Sequence, residues 1–256
     1  GDEHYRTALQ EAGLKNPKQI DRVAPFYAMV ENIDTNMGRL LHTIESLGLA
    51  ENTLIVFSTD NGSAAGSSFY NAEMRGSKNS PYRGGTRVPA FWKWKGVLPE
   101  GVDVPQVTAH IDVLPTLCEL AGVKVPEVVD EKIEGRSLVP LLMNQNAEWP
   151  DRPLVTHQGR WKRGEAAENA YKNCRIREGR WSLVNTKNKP DAWELYDIES
   201  DPSEEHDIAA EHQDVVYRLA TTYEKWWESV QPDLVNEDVD GPPENPFKKA
   251  YWKQFG

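Results

Sequence analysis

The stretch TLIVFSTDNG, residues 53–62, changes character in its middle. Thr53 to Phe57 is short, apolar and rich in β-branched side chains, and turn residues follow it, so it reads as a strand. The apolar run gives way to Ser58 and Thr59 and then to Asp60, Asn61 and Gly62. Asp and Asn favour turns because their side chains bond nearby backbone groups, so one reading of this stop is a plain turn. The other is that Asp60 and Asn61 are hard-oxygen ligands for Ca²⁺ or Mg²⁺ at a sheet edge. Such a site wants further carboxylates, and no clustered Asp/Glu pair lies nearby in sequence.

Upstream, Phe26, Met29, Val30, Ile33, Met37, Leu40, Leu41 and Ile44 recur at steps of three and four. That spacing predicts one apolar stripe on a long helix over about 22–47, with Gly48 as its C-cap. A helix followed by a nearly continuous apolar strand predicts an α/β layer whose sheet is buried on both faces, with 53–58 inside it. Residues 1–19 are polar and read as loop or a frayed helix.

Downstream, 61–87 is rich in Gly, Ser and Asn and has no period, the mark of a functional or disordered loop. Within 72–89, Arg75, Lys78, Arg83 and Arg87 face a single acid, Glu73, in a chain whose net charge is −11. With Gly76, Gly84 and Gly85 allowing close backbone approach, this reads as an anion-binding loop; a solvated surface loop is the competing reading. Strands are predicted at 88–94 and 106–111. A helix follows over 112–120 with Asp112 as N-cap and Gly122 ending it. Residues 137–142 form a short helix.

The composition shifts at 148–153. Strands at 153–158, 172–178, 181–185 and 193–198 then read as a small antiparallel meander. A helix over about 210–230 carries Val215, Val216, Leu219, Tyr223, Trp226 and Trp227 on one face. The tail from Pro232 reads as extended. The predicted division is 1–147, part of an α/β domain, and 148–256, a small antiparallel subdomain with a helix and a tail.

The acidity argues against nucleic acid or an anionic membrane surface as partner. No apolar run is long enough to span a membrane. No secretory leader is visible, and the charged stretch after Gly1 reads as a cut end. Two cysteines, Cys118 and Cys174, make no disulfide framework.

Five segments stand in a telling order: FYAMVENIDTNMGRLL (26–41), FSTDNG (57–62), KNSPYRGGTRVPAFWKWKG (78–96), HIDVLPTLCELAGV (110–123) and WELYDIESDPSEEHDIA (193–209). Together they resemble the C-terminal portion of the type I, formylglycine-dependent sulfatases of the alkaline-phosphatase-like superfamily, over about 22–210. The resemblance implies that Asp60 and Asn61 are the second pair of ligands to a Ca²⁺, or Mg²⁺, beneath the sulfate. It implies that Lys78, beside Asp60, contacts a sulfate oxygen as a catalytic residue, and that Arg87 is structural.

There are departures. Where the family commonly has Glu this chain has Arg83, which either meets a further substrate anion or pairs with an acid on a neighbouring segment. His157, at a strand end, either reaches a substrate hydroxyl or sulfate or is a satisfied polar side chain. The tryptophans crowd the second half, where they could stack on sugars or pack against the meander.

The motif that yields formylglycine, Cys/Ser-x-Pro/Ala-x-Arg, is absent. Cys118 is followed by Glu-Leu-Ala-Gly and Cys174 by Arg-Ile-Arg-Glu; Ser200-Asp201-Pro202-Ser203-Glu204 ends in the wrong charge. The family's first metal pair and mid-chain histidine are absent as well. The expectation is therefore a C-terminal fragment of a secreted or periplasmic sulfatase. The fragment alone should be inactive and hold no tight metal, and it should tend to self-associate. The intact enzyme would use Ca²⁺ and formylglycine on a sulfated small molecule or sulfated carbohydrate. The alternatives are a phosphonate or phosphate monoesterase of the same superfamily, and a non-catalytic carbohydrate-binding module built on the Trp-rich half.

Overall fold

The long helix begins earlier than its stripe. In the computed structural model, which describes residues 2–125, 132–234 and 243–256, a first helix α1 spans Glu3–Glu11 and α2 spans Pro17–Ser46. Asn16 caps α2 by accepting from the backbone N–H of Lys18, and Pro17 stands where its missing N–H costs nothing. Gly48 ends it with φ +68°. The Gly48 N–H donates to the Glu45 carbonyl and the Leu49 N–H to the Ile44 carbonyl, the two bonds of a Schellman motif. Residues 3–11, read from sequence as loop or frayed helix, form a full helix held by Leu9 against Val23 and Ala24. With Tyr5, Leu9 and Leu14 as its apolar anchors, its period is too faint to see in the sequence.

The strand at 53–58 is present as β1, Ile55–Ser58. It pairs antiparallel with β2, Ala90–Lys93, in a two-stranded ribbon. It is not an interior strand covered on both faces: its side chains alternate between half-buried and exposed, and Phe91 across from Phe57 is 64% exposed. The reason is that β1 has one neighbour, β2, among the described residues. The apolar face of α2 is likewise open, with Met29, Val30, Ile33 and Leu40 all exposed.

Residues 106–111 form no strand. They bend into a 3₁₀ turn, His110–Asp112, because the Asp112 carboxylate folds back to accept from the Ala109 N–H at 2.8 Å. The helices α3, Arg83–Thr86, α4, Val113–Leu120, and α5, Val139–Met143, complete this part. Gly122, with φ +65°, ends α4 as Gly48 ends α2.

The meander is four-stranded and antiparallel: β3, Leu154–His157, β4, Cys174–Glu178, β5, Trp181–Asn185, and β6, Trp193–Asp197, lie in chain order. Its period of two sorts the side chains into two buried faces. Cys174, Ile176, Leu183, Trp193 and Leu195 pack against Val215, Leu219, Tyr223 and Trp227 of α6, Gln213–Val230. Burying each such helix side chain contributes about 1.5–3 kcal/mol. The intervening Arg175, Ser182, Val184 and Tyr196 are buried too, and their face meets the 75–86 loop. The double-sided burial expected of 53–58 belongs to this sheet instead.

Trp193 and Trp227 are core, and Trp161, Trp181 and Trp226 pack against it. These five pack against the meander, the alternative to stacking on sugars, while Trp252 stays exposed. The tail is not extended throughout: Gln231–Asp233 is a 3₁₀ turn and Pro246–Phe255 is a helix, α7, capped by Asn245. The intervening part of the expected extended tail, 235–242, lies outside the described residues.

Candidate functional site

Two glycine contacts place the strand end against the basic loop. The Gly62 N–H donates to the Gly85 carbonyl at 3.0 Å, and a Cβ on Gly62 would lie 1.8 Å from the Gly84 carbonyl oxygen. A Cβ on Gly85 would lie 2.1 Å from the Ser80 carbonyl oxygen. Only residues without side chains allow the backbones to approach this closely. The Lys78 N–H then donates to the Ser63 carbonyl at 3.1 Å. Lys78 is thereby hydrogen-bonded, through its backbone, to the residue three beyond Asp60.

Asp60 is exposed and Asn61 half-buried. One Asp60 oxygen accepts from the Asn61 N–H at 3.0 Å. Lys78 is exposed and has no ion pair among the described residues; its tie to the strand end is the backbone bond to Ser63. The Ser58 hydroxyl donates to the Pro89 carbonyl at 2.9 Å and ties the strand end to the start of β2. The His110 Nε2 donates to the Thr59 carbonyl at 2.8 Å. Sequence reasoning does not single out His110, although it opens the HIDVLPT segment.

Asp60 and Asn61 offer two hard-oxygen side chains, the donor chemistry that Ca²⁺ or Mg²⁺ takes. Ca²⁺ takes about six to eight such ligands. Among the described residues no group of three or more His, Cys, Asp or Glu could hold a metal ion. The pair fits part of a calcium shell and falls short of a whole one.

Two of the loop's other basic residues, Arg75 and Arg83, are committed to partners within the protein. Arg75 donates to the Tyr196 hydroxyl at 2.8 Å and to the Glu204 carbonyl at 2.9 Å, and lies 3.9 Å over the Tyr82 ring. Tyr82 donates to Glu194 at 2.6 Å. Burial, and then this carboxylate, push the Tyr82 hydroxyl up to about 12. The Arg83 guanidinium donates to the Pro202 carbonyl, and the Arg83 N–H donates to Glu204 at 2.7 Å. Arg83, one of the two substrate-binding candidates, is thus tied to the meander side, its guanidinium to a backbone carbonyl and only its backbone N–H to an acid.

Glu204 is the hub of this seam. It is fully buried, sits at φ +56°, accepts from Ser182 at 2.9 Å and lies 3.6 Å from Arg175. Arg175 donates to Thr86 at 2.7 Å. Burial draws the Arg175 guanidinium down, and Glu204 opposes that. Nothing in the sequence distinguishes Glu204 from the exposed Glu205 beside it.

His157 lies elsewhere, on the α6 face of the meander. It stacks on Trp227 at 5.0 Å and meets Trp161 edge-on. Its Nε2 donates to the Asn169 carbonyl at 3.1 Å and its Nδ1 accepts from the Gly159 N–H at 2.9 Å. Both ring nitrogens are used, and burial draws its pKa down. The structure brings Asp60, Asn61 and Lys78 into one loop cluster and leaves His157 outside it.

A strand end that offers two hard-oxygen side chains has a lysine-bearing loop docked beside it, on helices and antiparallel sheets. By comparison with known proteins the chain belongs to the sulfatases of the alkaline-phosphatase-like superfamily, C-terminal part. The family model for N-sulphoglucosamine sulphohydrolase, C-terminal, matches residues 77–228, and that for Sulfatase matches residues 3–123. The chain is similar to the steryl-sulfatase of Rattus norvegicus, 39% identical over 44% of this chain and 21% of that protein. It is also similar to the N-acetylglucosamine-6-O-sulfatase of Bacteroides thetaiotaomicron, 27% identical over 90% of this chain and 40% of that one. Among solved structures, Ps i-CgsB is 26% identical with a TM-score of 0.72, covering 93% of this chain and 51% of that chain. Its complex with k-i-k-neocarrahexaose superposes with a TM-score of 0.73 over 94% of this chain and 48% of that chain, at 24% identity. The chain therefore spans about half of that structure and less of the curated relatives.

Proposed function

We propose that this chain is the C-terminal part of an enzyme that hydrolyses a sulfate ester, with a sulfated carbohydrate as the substrate class. The observation that carries the reading is the glycine-tight docking of the Lys78 loop on the Asp60–Asn61 strand end. Asp60 and Asn61 would supply two oxygens to a Ca²⁺, or Mg²⁺, completed by residues of the preceding part of the enzyme. The metal, when bound, would supply positive charge to the sulfuryl oxygens, and hydrated formylglycine from that same preceding part would supply the nucleophilic hydroxyl. Lys78 is a compact, mobile ammonium suited to one sulfate oxygen, where charge builds in the transition state.

The carbohydrate reading is supported by the name of the glucosamine sulfatase relative and by the neocarrahexaose bound in the Ps i-CgsB structure. Secretion or export to a periplasm accords with such a substrate, and no helix among the described residues is long and apolar enough to cross a membrane. The 256-residue chain alone is expected to be inactive.

The test is turnover of paired aryl sulfate and aryl phosphate esters by the full-length enzyme carrying this chain. Sulfate hydrolysis should dominate. A Lys78→Ala change should lower kcat by about a hundredfold or more, since a contact made in the transition state is lost. Preferred turnover of the phosphate ester, or unchanged kcat in Lys78→Ala, would overturn the assignment.

A further inference from the structure

We infer that His110 is a positioning residue for the Asp60–Asn61 metal ligands, acting through the backbone carbonyl of Thr59. The inference rests on the metal reading above. Its first observation is the 2.8 Å bond from His110 Nε2 to the Thr59 carbonyl oxygen, between residues 51 apart in sequence. Thr59 is the last residue before Asp60, so its carbonyl belongs to the peptide group whose N–H is that of Asp60. Fixing that peptide plane fixes the N–Cα axis of Asp60 and leaves only its φ and side-chain torsions to set where the carboxylate lies.

The second observation is that the turn carrying His110 is itself held from several sides. The Asp112 carboxylate is fully buried. It accepts from the Ala109 N–H and the Arg136 N–H, each at 2.8 Å, and pairs with Arg152, whose side chain is 8% exposed. The Thr116 hydroxyl donates to the Asp112 carbonyl at 2.6 Å and accepts from the Leu138 N–H at 2.8 Å. A turn so bound sets the His110 backbone rigidly, and the imidazole reaches from it across to the strand end. The third observation is that β1 has a single partner strand among the described residues. The β1–β2 ladder ends at Ser58, opposite Ala90, and the next carbonyl, that of Thr59, is held by His110.

Groups that orient metal ligands without touching the metal typically change affinity or activity by about 10–100-fold when removed. Imidazole is suited to this task because it donates from a rigid planar ring. Glutamine can place an amide N–H at similar reach. Leucine fills comparable space and donates nothing.

The experiment uses the full-length enzyme carrying this chain, with Ca²⁺ as the probe. Ca²⁺ affinity is measured by calorimetry, and kcat and KM with an aryl sulfate, for wild type, Asp60→Ala, His110→Leu and His110→Gln. His110→Leu should weaken Ca²⁺ binding by about tenfold and lower kcat at saturating substrate while KM for the ester moves little. His110→Gln should recover most of both, which a packing role would not produce. If Asp60→Ala abolishes Ca²⁺ binding and His110→Leu leaves it unchanged, the positioning role is wrong and the metal reading stands. If Asp60→Ala leaves Ca²⁺ binding intact, the metal reading fails and takes the positioning role with it. If His110→Gln is as impaired as His110→Leu, the hydrogen bond is not the cause and the inference is overturned.

Discussion

Removing the Glu204 carboxylate should destabilise the chain far more than removing any acid on its surface. Glu204 is wholly buried, and Arg175 beside it is 4% exposed. In Glu204→Ala the Ser182 hydroxyl and the Arg83 N–H each lose an acceptor. The Arg175 guanidinium keeps its bond to Thr86 but loses its counter-charge. Each lost hydrogen bond is worth about 1 kcal/mol net. Stripping one partner from a buried ion pair costs about 3–5 kcal/mol in all. Alanine retains the left-handed backbone at φ +56°, so relief of strain does not offset the loss, as it would with glycine. The assay is urea unfolding followed by tryptophan fluorescence, since Trp181 and Trp193 report on the strands beside the seam. Glu204→Ala should lose about 3–5 kcal/mol. Adding Arg175→Met, which removes the orphaned charge, should return more than half of it. A loss under about 1 kcal/mol, or a double variant no better than the single, would refute the hub.

Asp197 gives a pH-dependent expectation. The Arg180 guanidinium chiefly, then Ser200 and the Glu199 N–H, hold its carboxyl well below the usual range, against a smaller opposing effect of burial. Because the folded-state value is depressed, its contribution is complete above the unfolded carboxylate value of about 4 and is lost as pH falls toward the folded value. Wild type should therefore be more stable than Asp197→Asn at about pH 7, and the gap should shrink steadily as pH falls below about 4; a gap constant with pH in urea titrations would contradict this. Separately, the open faces of α2 and the β1–β2 ribbon should make the 256-residue chain self-associate. Sedimentation should show concentration-dependent assemblies that Ile33→Glu with Phe91→Asp disperses; a monomer at all concentrations would show that these faces are tolerated bare.

The meander is legible in the sequence because each strand is short, bounded by turn residues and alternates in polarity. The helices α2 and α6 are legible by their stripes, and the C-caps at Gly48 and Gly122 by residue type alone. What the sequence hides is burial. The apolar character of 53–58 could not reveal that β1 has a single described neighbour, because a strand's coverage depends on segments distant in the chain. Arg75 and Arg83 read as parts of an anion-binding or solvated loop and Glu204 carries no signal, because their contacts arise across more than a hundred residues. The segment at 106–111 is β-branched enough to predict a strand, yet one local bond from the Ala109 N–H to the Asp112 carboxylate turns it. Asp60, Asn61 and Lys78 can be named from their motifs, whereas His110 is found only once Thr59 is seen to lie within its reach.

The polar face of the meander explains how so glycine-rich a loop can serve chemistry. Between Asn61 and Arg87 the chain has Gly62, Gly66, Gly76, Gly84 and Gly85, and each glycine adds conformational freedom that folding must remove. A lysine on such a loop would sample many positions unless the loop were held close to it on both sides. Arg75 is fixed to Tyr196 and to the Glu204 carbonyl. Tyr82 is fixed to Glu194, the Arg83 N–H to the Glu204 carboxylate, and Thr86 to Arg175. Lys78 lies between the Arg75 anchor and the Tyr82 anchor, and its own N–H is bonded to Ser63. The span between the two anchors is six residues, 76–81, and its backbone is tied to the strand end at Ser63. Placing a charge where it will be needed, before substrate arrives, is what makes it effective in the transition state. On the proposed function, the buried Arg175 and Glu204 of the seam serve by holding the loop that carries Lys78.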